Sequence, residues 1–194
     1  MRAAAWLTLI ALSLGASPGA AEPSLGERIA AAAVAQVGVT LQYDPAYARI
    51  GYPGGDVPLG RGVCSDVVIR ALRRQGVDLQ RLVHEDMRAS FAAYPNKWGL
   101  RRPDRNIDHR RVLNLQRYFE RRGFALPISA NPRDYATGDL VAYALPGNLP
   151  HIGVVAAQRS SDGLRPLLVH NIGAGAQLED VLFAWKVVGH YRWR

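Results

Sequence analysis

The chain has 194 residues, 48% of them hydrophobic, and its 24 Lys and Arg residues outnumber its 16 Asp and Glu residues, which gives a formal net charge of +8. This apolar fraction, with scattered Gly and Pro, indicates neither a disordered chain nor a repeat array. The basic balance suits an anionic partner such as a cell wall or a membrane surface, although solvated arginines would give the same charge.

The first 21 residues are typical of a secretory signal. Residues 1–2 provide a positive start, residues 3–14 are almost uniformly apolar, and small residues at 19–21 precede a predicted cut after Ala21. A retained amino-terminal anchor is the alternative, but this run is shorter than the roughly 20 apolar residues that span a bilayer, and no later stretch reaches that length. We therefore expect a periplasmic or secreted protein with no stable transmembrane anchor and no nucleic acid partner.

Residues 22–194 are enough for one domain with a hydrophobic core and too few for two domains of ordinary size. We expect this domain to be a monomer. A polar, Arg-rich section at about residues 84–130 is interpreted as an insertion within it.

The first part of the domain predicts helices. Ser24 and Glu27 form a capping-box pattern before an Ala-rich run that ends at Gly38. A second helix opens at Cys64, because apolar residues recur at helical spacing after it. Within the Arg-rich section, a third helix ends at Gly123.

After residue 130 the apolar period changes from that of a helix to that of a strand. Four strands are predicted, at Leu140 to Tyr143, His151 to Val155, Leu167 to His170 and Trp185 to Tyr191. Helices followed by short strands indicate an α+β fold, with amino-terminal helices packed on a mostly antiparallel sheet.

The chain has one cysteine, Cys64, which cannot form a disulfide within the chain. A thiol attacks only as a thiolate, and the unpaired N–H groups at a helix start favour that anion. Because Cys64 lies at a predicted helix start, we expect its pKa to lie well below the ordinary value of about 8.5. A buried, inert cysteine is the alternative.

Two of the five histidines are candidates for the base that a catalytic cysteine needs. His151 begins a strand after a loop, and His170 ends the next strand, where it could orient His151. A turn at residues 162–163 would set His170 opposite Val155, roughly 13 Å along an ideal strand from His151. A bulge or strong coiling would close that gap; otherwise Asn171 or an acidic residue would orient His151.

Several motifs occur in an order that resembles the NlpC-like cell-wall peptidases. They are Gly62-Val63-Cys64-Ser65-Asp66-Val67-Val68 with Gly76-Val77-Asp78-Leu79, then Gly138-Asp139-Leu140-Val141, then His151-Ile152-Gly153-Val154-Val155. Across residues 60–194 the chain most resembles an uncharacterised bacterial family, domain of unknown function 1287. That likeness lies in Val83-His84-Glu85-Asp86-Met87, Ile107-Asp108-His109-Arg110-Arg111, His170-Asn171-Ile172-Gly173 and Gly189-His190-Tyr191-Arg192.

The resemblance implies a papain-like core that cleaves amide bonds, often in peptidoglycan stem peptides, without a cofactor. It implies Cys64 as nucleophile and His151 as base, with His170 as the third catalytic residue. Tyr43 is implied as an oxyanion donor, although two other tyrosines lie in the same loop, and Asn171 is the supporting alternative to His170.

The Arg-rich section suggests where an anionic substrate would bind. Arginine matches carboxylates, so the candidate substrate-binding residues are Arg101, Arg102, His109 and Arg110. A solvated basic face is the equal alternative. The metal-ligand types near His84 and His109 have no spacing that matches a known site, so no metal is expected.

Two rival functions stay open. An acyltransferase or a lipid-amide hydrolase could use the same core, and a longer apolar groove would mark either one. A non-catalytic domain could also keep the fold and bind the envelope through its arginines, since fold does not determine function.

Overall fold

A computed structural model describes residues 21–194, so the predicted signal peptide lies outside the described residues except for Ala21. Within this part of the chain, no helix is long and apolar enough to cross a membrane. The helices are α1 (Leu25–Val34), α2 (Cys64–Arg73), α3 (Leu79–Ala89) and α4 (Val112–Arg121). The strands are β1 (Gln42–Tyr43), β2 (Arg61–Gly62), β3 (Leu140–Leu145), β4 (Leu149–Arg159), β5 (Pro166–Asn171), β6 (Ala176–Glu179) and β7 (Lys186–Tyr191).

Strands β3 to β7 form one sheet in the order β6-β5-β4-β3-β7, with every neighbouring pair antiparallel. β1 and β2 form a separate parallel pair beside the start of α2. The prediction of an α+β fold, with amino-terminal helices packed on a mostly antiparallel sheet, is confirmed.

Helix α1 begins where its capping box predicts. The Ser24 hydroxyl accepts the Glu27 N–H at 3.2 Å, and the Glu27 carboxylate accepts the Ser24 N–H at 2.8 Å. Two of the donors that a helix start leaves unpaired are therefore satisfied. The helix ends at Val34, earlier than predicted, because residues after it form turns that reach Gly38 at a φ of +76°.

The sheet is covered on both faces. On one face, Ile152 and Val154 of β4 pack with Val67 and Val68 of α2 in the larger apolar cluster. Since side chains alternate along a strand, the intervening β4 residues point to the other face. There a smaller cluster contains Tyr143, Val155, Leu168 and Leu182.

The Arg-rich section is packed into the helical layer. It includes the second half of α3, a helix that the sequence interpretation missed, whose amino end is capped by the Asp78 carboxylate. Asp86 of α3 accepts hydrogen bonds from the Tyr94 hydroxyl at 2.6 Å and from Arg121 of α4 at 2.7 Å. These bonds tie α3 to α4.

The β4–β5 hairpin contains an irregularity that changes its register. At the tip, Arg159 pairs with Pro166, the register that the predicted turn requires. The register shifts by two residues between Arg159 and Val155, so Val155 pairs with Leu168 rather than with His170. The bulge therefore carries His170 two residues toward the start of β4, where His151 lies.

Candidate active site

Cys64 is the first residue of α2, and its side chain is only 4% exposed. The sulfur lies against the backbone N–H groups of Cys64, Ser65 and Ile152, which all favour the thiolate. Burial opposes them and is the larger effect, so the pKa of Cys64 rises to about 11. The expectation of a low pKa is therefore reversed, because removal from water costs the anion more than the helix start returns.

Buried polar contacts hold the start of α2. The Asp66 carboxylate accepts the Val63 N–H at 2.7 Å and two bonds from Arg110, at 2.9 and 2.8 Å. The Ser65 hydroxyl donates to the Arg110 carbonyl at 2.6 Å. A Cβ at Gly62 would lie 2.9 Å from the Asp66 carboxylate, so this approach needs glycine. The backbone that presents the thiol is rigidly anchored.

A chain of hydrogen bonds runs through the two predicted histidines to a carboxylate. His151 Nε2 lies 2.9 Å from His170 Nδ1, and His170 Nε2 lies 2.8 Å from Glu179 Oε2. An ionised carboxylate can only accept a hydrogen bond, so the proton of His170 is on Nε2. His170 Nδ1 then accepts a hydrogen bond from the N–H at His151 Nε2. The lone pair of neutral His151 is then on Nδ1. We call this chain the relay.

Apolar and aromatic side chains surround the relay. The ring of Trp185 is edge-on to both imidazoles, with centroids 5.7 Å from His151 and 5.8 Å from His170, and Tyr143 lies 6.2 Å from His151. Burial lowers the pKa of His151 to about 3, and His170 adds to this effect. Burial also lowers the pKa of His170, although Glu179 opposes that shift. Both rings are held neutral.

The thiol and the relay come to consecutive residues at the start of β4. The Cys64 sulfur faces the N–H of Ile152, the residue directly after His151. The β4–β5 pairing ends at Val154 and Val169, so the two strands separate where the thiol lies. Within residues 21–194 no hydrogen bond joins the thiol to an imidazole. His151 Nδ1 is the ring nitrogen left for that bond, because Nε2 is engaged.

A cavity of about 250 Å³ opens beside the thiol. Most of its lining is apolar, including Pro45, Val63, Trp98, Ile107, Val112, Leu113 and Pro150. Tyr43 also lines it, and burial, followed by the nearby Cys64 and Asp66, raises the pKa of Tyr43. Its hydroxyl therefore keeps its proton and can donate to a bound group.

Asn171 is brought to the site by a route that the sequence interpretation did not specify. Its amide nitrogen donates to the Gly62 carbonyl at 3.0 Å, two residues before Cys64. Its side-chain oxygen accepts the Gly173 N–H at 3.2 Å. Asn171 thus ties the end of β5 to the segment that leads into α2, whereas His170 is the side chain bonded to His151.

The four predicted substrate-binding residues are not brought together. Arg110 lines the Cys64 cavity, but it is buried and its guanidinium is bonded to Asp66 and to two carbonyls of the loop after β1. His109 is 2% exposed, and burial lowers its pKa to about 4. Arg101 and Arg102 are exposed, and Arg102 lines a second cavity.

Glu179 and Trp185 are site residues that the sequence interpretation missed. Glu179 ends β6, a four-residue strand, and pairs with Leu168 of β5. A short strand gives a weak pattern, and only the antiparallel hairpin of β5 and β6 would have placed an acidic residue near His170. Among residues 21–194, no group of three or more His, Cys, Asp or Glu side chains is arranged to hold a metal ion.

These features define a class: an α+β protein whose single cysteine opens a buried helix next to a His–His–Glu relay on the adjoining sheet. The chain belongs to the family described as Domain of unknown function (DUF1287), whose family model matches residues 30–193. The predicted membership of that family is confirmed.

One curated relative is the uncharacterised protein YijF of Escherichia coli (strain K12). It is 62% identical over 165 residues, which cover 85% of this chain and 80% of the relative. Among solved structures, NlpC1 from Trichomonas vaginalis matches with a TM-score of 0.46 and 12% identity. That match covers 87% of this chain and 44% of the other.

Proposed function

We propose that this protein is an exported cysteine hydrolase that cleaves an amide bond in peptidoglycan stem peptides through an acyl-enzyme on Cys64. The observation that carries the proposal is the relay, which ends at His151, beside the N–H that the Cys64 sulfur faces. A buried cysteine with only a packing role has no need of a neighbouring imidazole whose tautomer is set by two further side chains.

In the first half of the reaction, the Cys64 proton passes to His151 Nδ1 while the sulfur attacks the carbonyl carbon. Burial disfavours both the thiolate and the imidazolium, so we expect proton transfer to accompany attack rather than to precede it. The imidazolium is stabilised through His170 by Glu179. His151 then returns the proton to the leaving nitrogen as the carbon–nitrogen bond breaks.

The negative charge on the carbonyl oxygen needs donors that are already in place. The N–H of Cys64 is suitable because the first N–H groups of a helix have no partner within the helix. The Tyr43 hydroxyl lines the same cavity and is the second donor in the proposal. In the second half of the reaction, His151 takes a proton from water and the hydroxide attacks the thioester carbon. The carbon–sulfur bond then breaks, His151 returns the proton to the Cys64 sulfur, and the carboxylic acid leaves.

The test is incubation of the purified chain with peptidoglycan, followed by mass analysis of the soluble products. New termini that appear with the wild-type chain and are missing with Cys64→Ala would support the proposal. Peptide products would identify the cleaved bond. Binding to peptidoglycan without any product, from a chain whose thiol is intact, would favour the non-catalytic envelope-binding domain instead.

A further inference from the structure

A second and larger cavity, of about 770 Å³, lies beside the Cys64 cavity. We call it the basic cavity. Its lining includes Arg49, Arg88, Arg102, Arg105, His84 and Asp104. None of these residues takes part in the relay, and the proposed chemistry at Cys64 does not explain them.

Four arginines and one carboxylate line the basic cavity. Within the described part of the chain, none of the four forms a salt bridge, whereas Arg70, Arg110 and Arg192 are each paired with an aspartate. The Asp104 carboxylate accepts bonds from the Tyr47 hydroxyl at 3.0 Å and from the Asn106 N–H at 2.9 Å. The Asp104 carboxylate is therefore bonded to neighbouring residues of the cavity wall. With four arginines and one carboxylate, the net charge of the lining is positive.

The positive charge of the cavity also affects His84. Burial, followed by the charges of Arg88 and Arg105, lowers the pKa of His84. The ring of Tyr52 lies edge-on to His84 at 5.3 Å, and the Arg105 guanidinium lies 5.6 Å from the same tyrosine ring. The His84 side of the cavity is therefore backed by the Tyr52 ring, and within residues 21–194 the arginines of the cavity form no salt bridge.

The wall of the basic cavity is preformed. Asn106 donates to the Tyr47 hydroxyl at 2.9 Å and accepts the Ile50 N–H at 3.2 Å. Beneath it, the buried Gln80 donates to the carbonyls of Gly51 at 2.8 Å and Arg105 at 3.0 Å. A ligand would not have to order these loops, which reduces the entropic cost of binding.

The loop that contains Pro45 and Tyr47 and the loop that contains Asn106 and Ile107 separate the two cavities. Pro45 and Ile107 line the Cys64 cavity, while Tyr47 and Asn106 line the basic cavity. Two residues of extended chain span about 7 Å at most. One peptide can therefore place a bond at Cys64 and a side chain or terminus a few residues away in the basic cavity.

We propose that the basic cavity is a subsite that binds a carboxylate group of an acidic peptide whose scissile amide lies at Cys64. The guanidinium group suits a carboxylate because its parallel N–H donors match the two oxygens. The subsite rests on the proposed function and narrows the substrate to peptides with a free carboxylate a short distance from the cleaved bond.

The test measures binding separately from turnover. The full chain carrying Cys64→Ser is titrated with two synthetic peptides, Ala-D-Glu-Lys with free carboxylates and the same peptide with every carboxylate converted to an amide. We expect the free carboxylates to tighten binding by roughly tenfold, in the range of a charge-assisted hydrogen bond. Arg88→Gln with Arg102→Gln should remove that preference. Arg133→Gln, an exposed arginine outside the lining of both cavities, is the matched control and should keep it.

Equal affinity for the two peptides, including no binding of either at millimolar concentration, would overturn the subsite. So would a preference that survives Arg88→Gln with Arg102→Gln. Displacement of the acidic peptide by an equal concentration of inorganic phosphate would reassign the cavity to phosphate. Binding that depends on the arginines, in a chain that never cleaves the peptide, would support the subsite and refute the hydrolase. Cleavage that is unchanged in Arg88→Gln with Arg102→Gln would support the hydrolase and refute the subsite.

Discussion

Two histidine–carboxylate pairs lie on the same sheet with nearly equal geometry and different surroundings. His190 Nε2 is 2.7 Å from Asp139, and His170 Nε2 is 2.8 Å from Glu179. Asp139 is 1% exposed and also accepts two bonds from Arg192, at 2.6 and 2.7 Å. The Glu179 side chain is 47% exposed, and its carboxylate forms no salt bridge to an arginine among the described residues.

The difference lies in what remains free at the end of each pair. The second nitrogen of His190 faces the Pro127 carbonyl at 3.2 Å, so both of its nitrogens face acceptors and the pair is closed. The second nitrogen of His170 leads to His151, whose Nδ1 stays available. A histidine–carboxylate distance alone therefore does not distinguish the two pairs; the free Nδ1 of His151 does. We call the two arrangements the closed pair and the relay.

The largest expected effect is on the proposed nucleophile, Cys64, and on the proposed base, His151, at the end of the relay. Cys64→Ala and His151→Ala should abolish measurable turnover, because one removes the attacking atom and the other removes acid–base assistance of about 10²–10⁴-fold. His170→Gln should keep measurable turnover, since an amide can still accept the His151 proton. The assay is product formation per folded molecule, with folding checked by circular dichroism. An active His151→Ala chain would refute the assignment of the base.

The next effect should be on stability and should appear only at the closed pair. Hydrogen bonds from Arg192 and His190 lower the pKa of Asp139 although its burial opposes them. Asp139→Asn should therefore cost about 3 kcal/mol of unfolding free energy at neutral pH, the lower end for a broken buried pair, because Arg192 is partly exposed.

A carboxylate with a lowered pKa stabilises the fold above its unfolded pKa, and this contribution is lost as the pH falls through the folded value. The difference between wild type and Asp139→Asn should therefore narrow below pH 3.8. Urea unfolding at several pH values measures it, and turnover per folded molecule should not change. A loss of turnover at full stability would place the closed pair in the mechanism.

Glu179→Gln should lower turnover and leave stability unchanged, the opposite of Asp139→Asn, and the change should be smaller than those above. Gln can accept the His170 proton but carries no charge to stabilise the imidazolium, so we expect turnover to fall by roughly tenfold. The half-exposed side chain should make stability insensitive. Glu179→Ala is the companion variant and should lose more. Equal turnover in wild type, Glu179→Gln and Glu179→Ala would show that Glu179 takes no part in the reaction.

The smallest effect should be on the reactivity of the free thiol. Burial holds the pKa of Cys64 at about 11, so alkylation by iodoacetamide should increase steadily with pH, without a plateau near neutrality. Because the thiolate fraction controls this rate, Glu179→Gln should change it by less than about twofold at each pH. A plateau between about pH 6 and pH 8 would show a preformed thiolate–imidazolium pair instead.

Local patterns predicted the parts of the fold that local forces determine. The Ser24–Glu27 cap, the helix that begins at Cys64 and the strands with His151 and His170 were visible because each is specified by residues a few positions apart. Helix α3 was missed, although Leu79, Val83 and Met87 recur every four residues and are buried. Its polar residues were taken as a sign of an insertion.

The finer parts of the candidate site depend on contacts between distant residues. Glu179 reaches His170 only through the β5–β6 pairing, and Arg110 is removed from the solvent by Asp66, 44 residues before it. The high pKa of Cys64 depends on burial by the assembled fold, which the helix-start pattern does not contain. These features needed the tertiary structure.

The irregularity between Val155 and Arg159 has a consequence for how the hairpin tolerates change. It separates a tip, whose register follows the turn at residues 160–165, from a base, whose register sets the His151–His170 contact. Extra residues at the exposed Asp162 and Gly163 would be absorbed at the tip, so a peptide tag can be inserted there. Deleting two of residues 156–158 would remove the two extra residues of β4 and leave a regular ladder, in which Arg159 still pairs with Pro166 and Val155 with Leu168. The hairpin thus offers one site for labelling and a second site, at the irregularity, where two residues can be removed without moving His170 along β4.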